Sequence, residues 1–317
     1  LGYDVFMKLQ RLVCLGFSGS ELEDSYWGEI DALVESREIV SELRSPDIAT
    51  EDGLLVKLGA KVGKDSIDAM PKLKYIGMLG TGYGGIDTAY AASKGITVTN
   101  IADYATEAVS EFTFGILLEY YRDIAKARSQ AKSGNYSDDF SGGEIKGKKF
   151  GVVGLGDIGK RTAQLAQAFG ADVCYWSRNR KQDVEATGIK YVYLDELIKT
   201  CDIITINLAY NSETEDIVNA ERINSFKKHS IVINPSPMEL FDFGALLTRL
   251  QKDDMVLMLD HSDEMTEEQL KTLQPLKHVI VYPAIGYITS EASALKKRIY
   301  VDNLKNFLAG QPTNKVN

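Results

Sequence analysis

The chain has 317 residues, 44% of them hydrophobic and 26% charged, with 36 basic against 45 acidic side chains and a formal net charge of −9. Such a length predicts about two domains with cores of their own, and such a composition excludes disordered, collagen-like and fibrous chains. An acidic surface repels phosphate backbones, so duplex nucleic acid is not expected as a partner.

Strand-like and helix-like segments alternate almost throughout, the pattern of an α/β fold with mainly parallel sheets. Residues 1–6 carry Asp4 and no basic region, so no signal peptide is expected, and Met7 is a candidate start. Residues 9–17 form a compact apolar run closed by Ser18-Gly19-Ser20, and residues 22–35 have helical spacing. Residues 54–58, 75–78 and 96–99 read as short strands. After the second of these, Gly80-Thr81-Gly82-Tyr83-Gly84-Gly85 places four glycines in six residues, which calls for backbone beside a ligand or an unusual loop. Residues 106–128 are the longest helix candidate. Ala108, Val109, Phe112, Ile116, Leu117, Tyr120 and Ile124 make its apolar stripe, widened by Phe114, Leu118 and Tyr121. A helix this apolar is expected between domains or at a subunit contact. Residues 133–147, rich in Gly, Ser and Asp, read as a linker or long surface loop.

Next comes a buried-type strand at 149–153, then Gly154-Leu155-Gly156-Asp157-Ile158-Gly159, then a helix with apolar Ile158, Leu165, Ala166 and Phe169, closed by Gly170. Between a strand and a helix start, this glycine spacing permits a tight turn and lets a pyrophosphate sit on the helix N-terminus. The alternative is a tight turn without a ligand. The following strand, 172–176, ends in Ser177-Arg178-Asn179-Arg180. It lacks the carboxylate that would hold the adenosine ribose hydroxyls. Two guanidinium groups suit a 2′-phosphate instead, so NADP(H) is favoured over NAD(H).

Cys14, Cys174 and Cys201 lie in apolar, strand-like runs without a CxxC spacing. They read as small buried hydrophobes in a reducing, cytoplasmic setting. His229, His261 and His278 make no HExxH-type cluster, so no metal is expected. No run approaches the roughly 20 apolar residues of a membrane span.

These residues resemble the NAD(P)-dependent D-isomer-specific 2-hydroxyacid dehydrogenase family over nearly the whole chain. The markers, in family order and spacing, are Leu73-Lys74-Tyr75-Ile76, Gly80 through Asp87, Gly95 through Asn100, Val109-Ser110-Glu111 and the phosphate loop. Leu194-Asp195-Glu196-Leu197, Cys201-Asp202, Asn234-Pro235-Ser236, Leu259-Asp260 and Pro283-Ala284-Ile285-Gly286 follow.

The resemblance implies two Rossmann-like α/β domains with doubly wound parallel sheets. A discontinuous, flavodoxin-like substrate domain (1–103 plus 289–317) would receive the dinucleotide-binding domain (104–288) as an insertion, with nicotinamide and substrate in the cleft between them. It implies a homodimer built around the long helix, and hydride transfer between NAD(P)(H) and a small 2-oxo or 2-hydroxy acid. By the same resemblance the cofactor residues would be Thr106, Gly154, Leu155, Gly156, Asp157, Ile158, Gly159, Ser177, Arg178, Arg180, Asn207, Leu208, Ala209, Thr214, Asn234 and Pro235, with Asp260 on the nicotinamide carboxamide and Gly286 in close backbone contact. The substrate carboxylate would meet the amides of Gly80, Thr81 and Gly82. Lys57 is a candidate cation, and Tyr83, Tyr104 and Tyr287 are candidate phenols.

The family's chemistry also uses an arginine, a histidine and a glutamate. Here the arginine's place holds Pro237 and the histidine's holds Ala284. The glutamate's segment is one residue out of register, with Glu264 the best match and Asp263 second. A positioned acid–base group is worth roughly 10²–10⁴ in rate, and a donor on the developing oxyanion roughly 10²–10³. His261 follows Asp260 and, by strand alternation, is expected to point away from the nicotinamide side. His278 would start the strand that ends at Tyr282. The resemblance therefore implies an oxidoreductase with a weakened or altered site. The alternative is an inactive NAD(P)-binding pseudoenzyme acting as a sensor or interaction partner.

Overall fold

The computed structural model describes residues 8–43 and 48–317; Met7, the candidate start, lies outside them. The described chain forms two compact units, one made of the residues up to Tyr104 together with Thr289–Asn317, the other of Ala105–Ile288. Tyr104 therefore groups with the first unit.

The first unit opens with β1 (Leu9–Leu15), α1 (Asp24–Asp31), β2 (Val34–Val40), β3 (Gly53–Lys57), α2 (Lys64–Asp68), β4 (Tyr75–Leu79), α3 (Thr88–Ser93) and β5 (Thr97–Thr99). Its strands are all parallel, in the order β2-β1-β3-β4-β5, the flavodoxin-like doubly wound arrangement. A parallel sheet covered on both faces needs strands that are apolar throughout, and all five residues of β4 are buried. One face packs Leu9, Trp27, Tyr75 and Tyr300, the other Leu54, Ile76, Met78 and Ile86.

The second unit runs α4 (Thr106–Arg122), α5 (Ile124–Lys132), β6 (Lys149–Val153), α6 (Asp157–Ala168), β7 (Asp172–Trp176), α7 (Gln182–Glu185), β8 (Lys190–Tyr191), α8 (Leu194–Thr200), β9 (Ile203–Ile206), α9 (Ala220–Ser225), β10 (Ile231–Asn234), α10 (Phe243–Leu250), β11 (Val256–Leu259), α11 (Glu267–Leu273) and β12 (Val279–Val281). All seven strands are parallel, in the order β12-β11-β10-β9-β6-β7-β8. Strand order reverses between β6 and β9, and in open α/β sheets ligands bind outside the carboxyl ends of the strands at such a switch point. The chain then returns to the first unit as α12 (Ser290–Leu308), capped by the Thr289 side chain. The tail closes on β5 through Val316 N–H to the Val98 carbonyl at 2.9 Å.

Three expectations need correcting. The helix read over 22–35 stops at Asp31, because Val34 and Glu35 already belong to β2. β2 is an edge strand with only Val34 buried, so its sequence carries no apolar run to announce it. The helix read over 106–128 is two helices, broken at Asp123, whose φ of 45° and ψ of 47° are left-handed. Burial in α4 ends at Leu117, α5 buries nothing, and Ile124 is exposed. Cys201 is not on a strand: it caps α8, and its Sγ lies 3.4 Å from that of Cys174 on β7.

Among the described residues no helix is long and apolar enough to cross a membrane, and no group of three or more His, Cys, Asp or Glu side chains is placed to hold a metal.

Candidate functional site

The glycine loop leaves β6 with Gly154 at φ +91°, a conformation glycine adopts without strain. A Cβ on Gly154 would sit 2.3 Å from the Asn207 carbonyl, and one on Gly159 would sit 1.9 Å from the Gly154 carbonyl. Strand, turn and helix therefore meet backbone to backbone. Leu208 packs on the same turn, 2.8 Å from where the Gly154 Cβ would be. Gly156 differs: a Cβ there meets nothing within 4 Å. It stands at the N-cap of α6, which has no side-chain cap, so the first-turn amides open to the outside with the positive end of the helix behind them. Leu155 is buried below, while Asp157 and Ile158 begin the helix. Among the described residues, four buried side-chain oxygens of the unit have no hydrogen-bond partner, Thr106 Oγ1 and Asn207 Oδ1 together with Gln130 Oε1 and Ser230 Oγ. An open backbone cradle and orphaned acceptors are what a dinucleotide would fill, so the residues present fit that group.

Thr214 is placed differently from the other candidates. Its hydroxyl donates to the Ala209 carbonyl at 2.8 Å and accepts from Asn211 N–H at 2.8 Å, which makes it the clamp of its own loop.

At the end of β7 the Ser177 hydroxyl donates to the Asn179 carbonyl at 2.7 Å. Arg178 reaches Glu213 at 2.6 Å. Arg180 pairs with Glu185 and lies over the Tyr191 ring. The strand tip lacks a carboxylate, but the fold brings two to it from 35 and 5 residues away. Sequence spacing gave no sign of Glu213.

Three neighbouring strand ends carry the remaining positions of the second unit. Asn234 ends β10, is buried, and clamps the next turn by donating to the Ser236 carbonyl at 2.7 Å and accepting from Ser236 N–H at 3.2 Å. Pro235 lies inside this clamp. The Ser236 hydroxyl donates to the Ile206 carbonyl at 2.9 Å. Pro237 follows at φ −56° and leads into a single 3₁₀ turn that buries Met238 and Leu240. Beyond β11, the buried Asp260 accepts from Ile285 N–H at 3.1 Å and Gly286 N–H at 3.2 Å. Burial pushes its carboxyl above the ordinary value, the two amides opposing that rise. Gly286 is required by proximity, since a Cβ there would lie 2.7 Å from Asp260 Oδ2. Ala284 N–H donates to Asp263 Oδ1 at 2.7 Å. Of the two candidate acids, Asp263 is thus tied to position 284, whereas Glu264 faces His261.

Strand alternation does not set the direction of His261. β11 ends at Leu259, so alternation no longer governs residue 261, which is left-handed at φ 62°. Its Nε2 lies 3.7 Å from Asp260 Oδ2 and its Nδ1 3.2 Å from Glu264 Oε1. His278 lies before β12, at the opposite edge, with Nε2 3.2 Å from Asp253.

In the first unit, Lys57 ends β3 with its Nζ 2.8 Å from Glu21 Oε1. Burial raises the Glu21 carboxyl, but bonds from Lys57 and from the Ser18 amide and hydroxyl outweigh it and hold the group down at about 2. Gly80 and Thr81 are fixed by Ile101 N–H to the Gly80 carbonyl at 2.9 Å, the Thr81 hydroxyl to the Ile101 carbonyl at 3.0 Å, and the Asn100 amide to the Thr81 carbonyl at 2.8 Å. Among the described residues no group accepts from the amides of Thr81 or Gly82, and both residues are exposed. Of the phenols, Tyr83 is exposed and Tyr287 half-buried. Lys296, on α12, was not a sequence candidate. Its Nζ lies 5.4 Å over the Tyr104 ring, and burial, then the charge of Lys57, lowers its ammonium below the ordinary lysine value.

Residues 114–286 match the family model described as D-isomer specific 2-hydroxyacid dehydrogenase, NAD binding domain. A protein named as a 2-hydroxyacid dehydrogenase in Staphylococcus aureus (strain MRSA252) is 33% identical over 263 residues, 81% of this chain and 83% of its own. The D-lactate dehydrogenase of Aquifex aeolicus, solved with NAD and lactic acid, superposes with a TM-score of 0.81 at 27% identity, covering 95% of this chain and 96% of that one. A glyoxylate reductase from Paecilomyes thermophila shares the fold with a TM-score of 0.82 at 22% identity, covering 98% and 99%.

Proposed function

The chain belongs to the D-isomer-specific 2-hydroxyacid dehydrogenase family, and on that premise we propose that it transfers hydride between NADP(H) and a small 2-oxo or 2-hydroxy acid through an altered active site. The observation that carries this reading is the backbone cradle that is shut at Gly154 and Gly159 and open at Gly156. A bound dihydronicotinamide would supply the hydride. The chain's own residues do the rest. The amides at the start of α6 take the pyrophosphate, and Arg178 and Arg180 exchange their carboxylate partners for a 2′-phosphate. Asp260, already fixed by two amides, accepts from the carboxamide. The amides of Thr81 and Gly82 take the substrate carboxylate, with Lys57 beside them. The same family reading favours a homodimer resting on α4 and a place in the cytoplasm.

Calorimetric titration with NADPH and NADH, followed by steady-state assays on glyoxylate, pyruvate and hydroxypyruvate, tests this. The expected outcome is tighter NADPH binding and turnover well below the enzyme median of about 10 s⁻¹. Equal or tighter NADH binding would remove the cofactor preference, and binding of neither would remove the site. A second reading, a dinucleotide-binding protein without turnover, is favoured by Pro237 and Ala284, neither of which carries a polarising or titratable group. It predicts NADPH binding with no reduction of any 2-oxo acid.

A further inference from the structure

We propose that Lys296 meets the substrate's oxo group, supplying both the positive charge and the proton for which Pro237 and Ala284 carry no group. The proposal rests on the 2-oxo acid reading above.

The other cations of α12 are paired with carboxylates. Lys297 reaches Glu23 at 2.5 Å, Arg298 reaches Glu29 at 2.8 Å and Asp302 at 2.9 Å, and Lys305 reaches Glu29 at 2.5 Å. Lys296 is half-buried like Lys297 and Arg298, yet among the described residues it meets no carboxylate within ion-pair distance. An ammonium drawn out of water without a counter-ion is costly, and an anionic ligand removes that cost. What surrounds it is suited to one. Lys57 is near enough to weaken its ammonium, and Tyr104 lies under its Nζ. Glu21, the carboxylate of this neighbourhood, is already bound to Lys57. Leu58, next in the chain to Lys57, packs against Gly80 and Gly82, beside the amides of Thr81 and Gly82. Lys57, Gly80 and Tyr104 follow or end β3, β4 and β5, so ammonium, phenol and open amides gather at the carboxyl edge of the sheet, where open α/β folds bind ligands.

The chemistry balances with these groups. C2 of the 2-oxo acid takes a hydride, with its electron pair, from the dihydronicotinamide, which becomes the oxidised ring. The carbonyl π pair moves onto oxygen, and that oxygen takes a proton from Lys296 Nζ. The products are a 2-hydroxy acid and a neutral amine that regains its proton from water. A lysine does this where an arginine cannot, because burial lowers its ammonium below the ordinary lysine value whereas a guanidinium stays protonated.

The test uses the full chain loaded with NADPH, with Lys296→Met and Lys296→Arg as variants. Binding of oxamate is read by calorimetry and glyoxylate reduction by absorbance. Lys296→Met should leave the NADPH Kd within about 2-fold, weaken oxamate roughly 10-fold or more, and lower kcat/KM by at least ~100-fold. Lys296→Arg should keep most oxamate binding and lose the rate, which separates charge from proton donation. An active wild type with an unaffected Lys296→Met variant overturns this inference and leaves the functional reading standing. A wild type that reduces no 2-oxo acid overturns the functional reading and the proton-donor role with it. In that case, oxamate binding weakened in Lys296→Met would retain the anion-binding role alone, and unchanged binding would remove that too.

Discussion

Two substitutions of identical chemistry, each glycine to alanine, should behave oppositely in the glycine loop. In Gly159→Ala the new methyl would lie 1.9 Å from the Gly154 carbonyl oxygen. An ordinary contact is above 3 Å, and the obstacle is backbone, so α6 and the loop must part by more than an ångström. Overpacking of a tight site costs about 1–3 kcal/mol, and more where backbone must move. At 3 kcal/mol and roughly 2–4 °C per kcal/mol for a unit of this size, melting should fall by about 6–12 °C. Gly156 has φ −75° and ψ −165°, which alanine adopts freely, and nothing within 4 Å of the new methyl. Gly156→Ala should therefore melt within about 2 °C of wild type. Its methyl occupies the mouth of the cradle, however, and holds a phosphate off the first-turn amides. Each charge-assisted bond lost costs about 1.5–3 kcal/mol, roughly 10- to 100-fold in NADPH affinity. Thermal melts and calorimetry on both variants give the answer. Gly156→Ala binding NADPH like wild type would refute the cradle, and Gly159→Ala melting like wild type would refute the packing argument.

Arg178→Ala should weaken NADPH by about 10-fold or more and leave NADH nearly unchanged, whereas Glu213→Gln, by releasing Arg178 from its 2.6 Å partner, should strengthen NADPH. Parallel changes in both cofactors by titration would contradict a 2′-phosphate role. Pro237→Arg with Ala284→His should raise glyoxylate reduction at least ~100-fold, since Ser236, just before 237, is held by Asn234 and Ile206 and Asp263 is already bonded to residue 284. A double variant that folds and binds NADPH but turns over no faster than wild type would show that these segments no longer present side chains to the substrate.

What the sequence made legible follows from which forces are local. β4 and β6 are buried within parallel sheets, so each is an apolar run that stands out by itself. The phosphate loop was equally plain, because the clash at Gly159 and the positive φ at Gly154 restrict residue type at fixed spacing. β2 was missed because a partner strand, rather than its own composition, holds it in the sheet. The break at Asp123 was missed because residues on both sides of it fit a helix. Strand alternation gave no guide at His261 because the strand stops two residues earlier. Glu213 and Lys296 show the remaining limit. Whether an arginine is already paired, or a lysine is left alone, depends on residues far away in the chain, and Lys296-Lys297-Arg298 reads as an ordinary solvated run.

The distribution of charge narrows how any turnover can occur. The three segments beyond β10, β11 and β12, residues 234–240, 260–265 and 282–288, carry Glu239, Asp260, Asp263 and Glu264 and not one lysine or arginine. A 2-oxo acid arrives as an anion, and hydride addition places further negative charge on its oxygen. Carboxylates oppose both events, and His261 has each ring nitrogen turned toward a carboxylate of its own chain. In the first unit, Lys57 is neutralised by Glu21. Among the candidate substrate groups, that leaves the Thr81 and Gly82 amides, the phenols of Tyr83, Tyr104 and Tyr287, which bring no positive charge, and the ammonium of Lys296 to balance the substrate. Amide dipoles hold a carboxylate but deliver no proton. Reduction of a 2-oxo acid by this chain is therefore expected to use Lys296, and turnover that survives Lys296→Met would keep the dehydrogenase reading and pass the proton-donor role to another group.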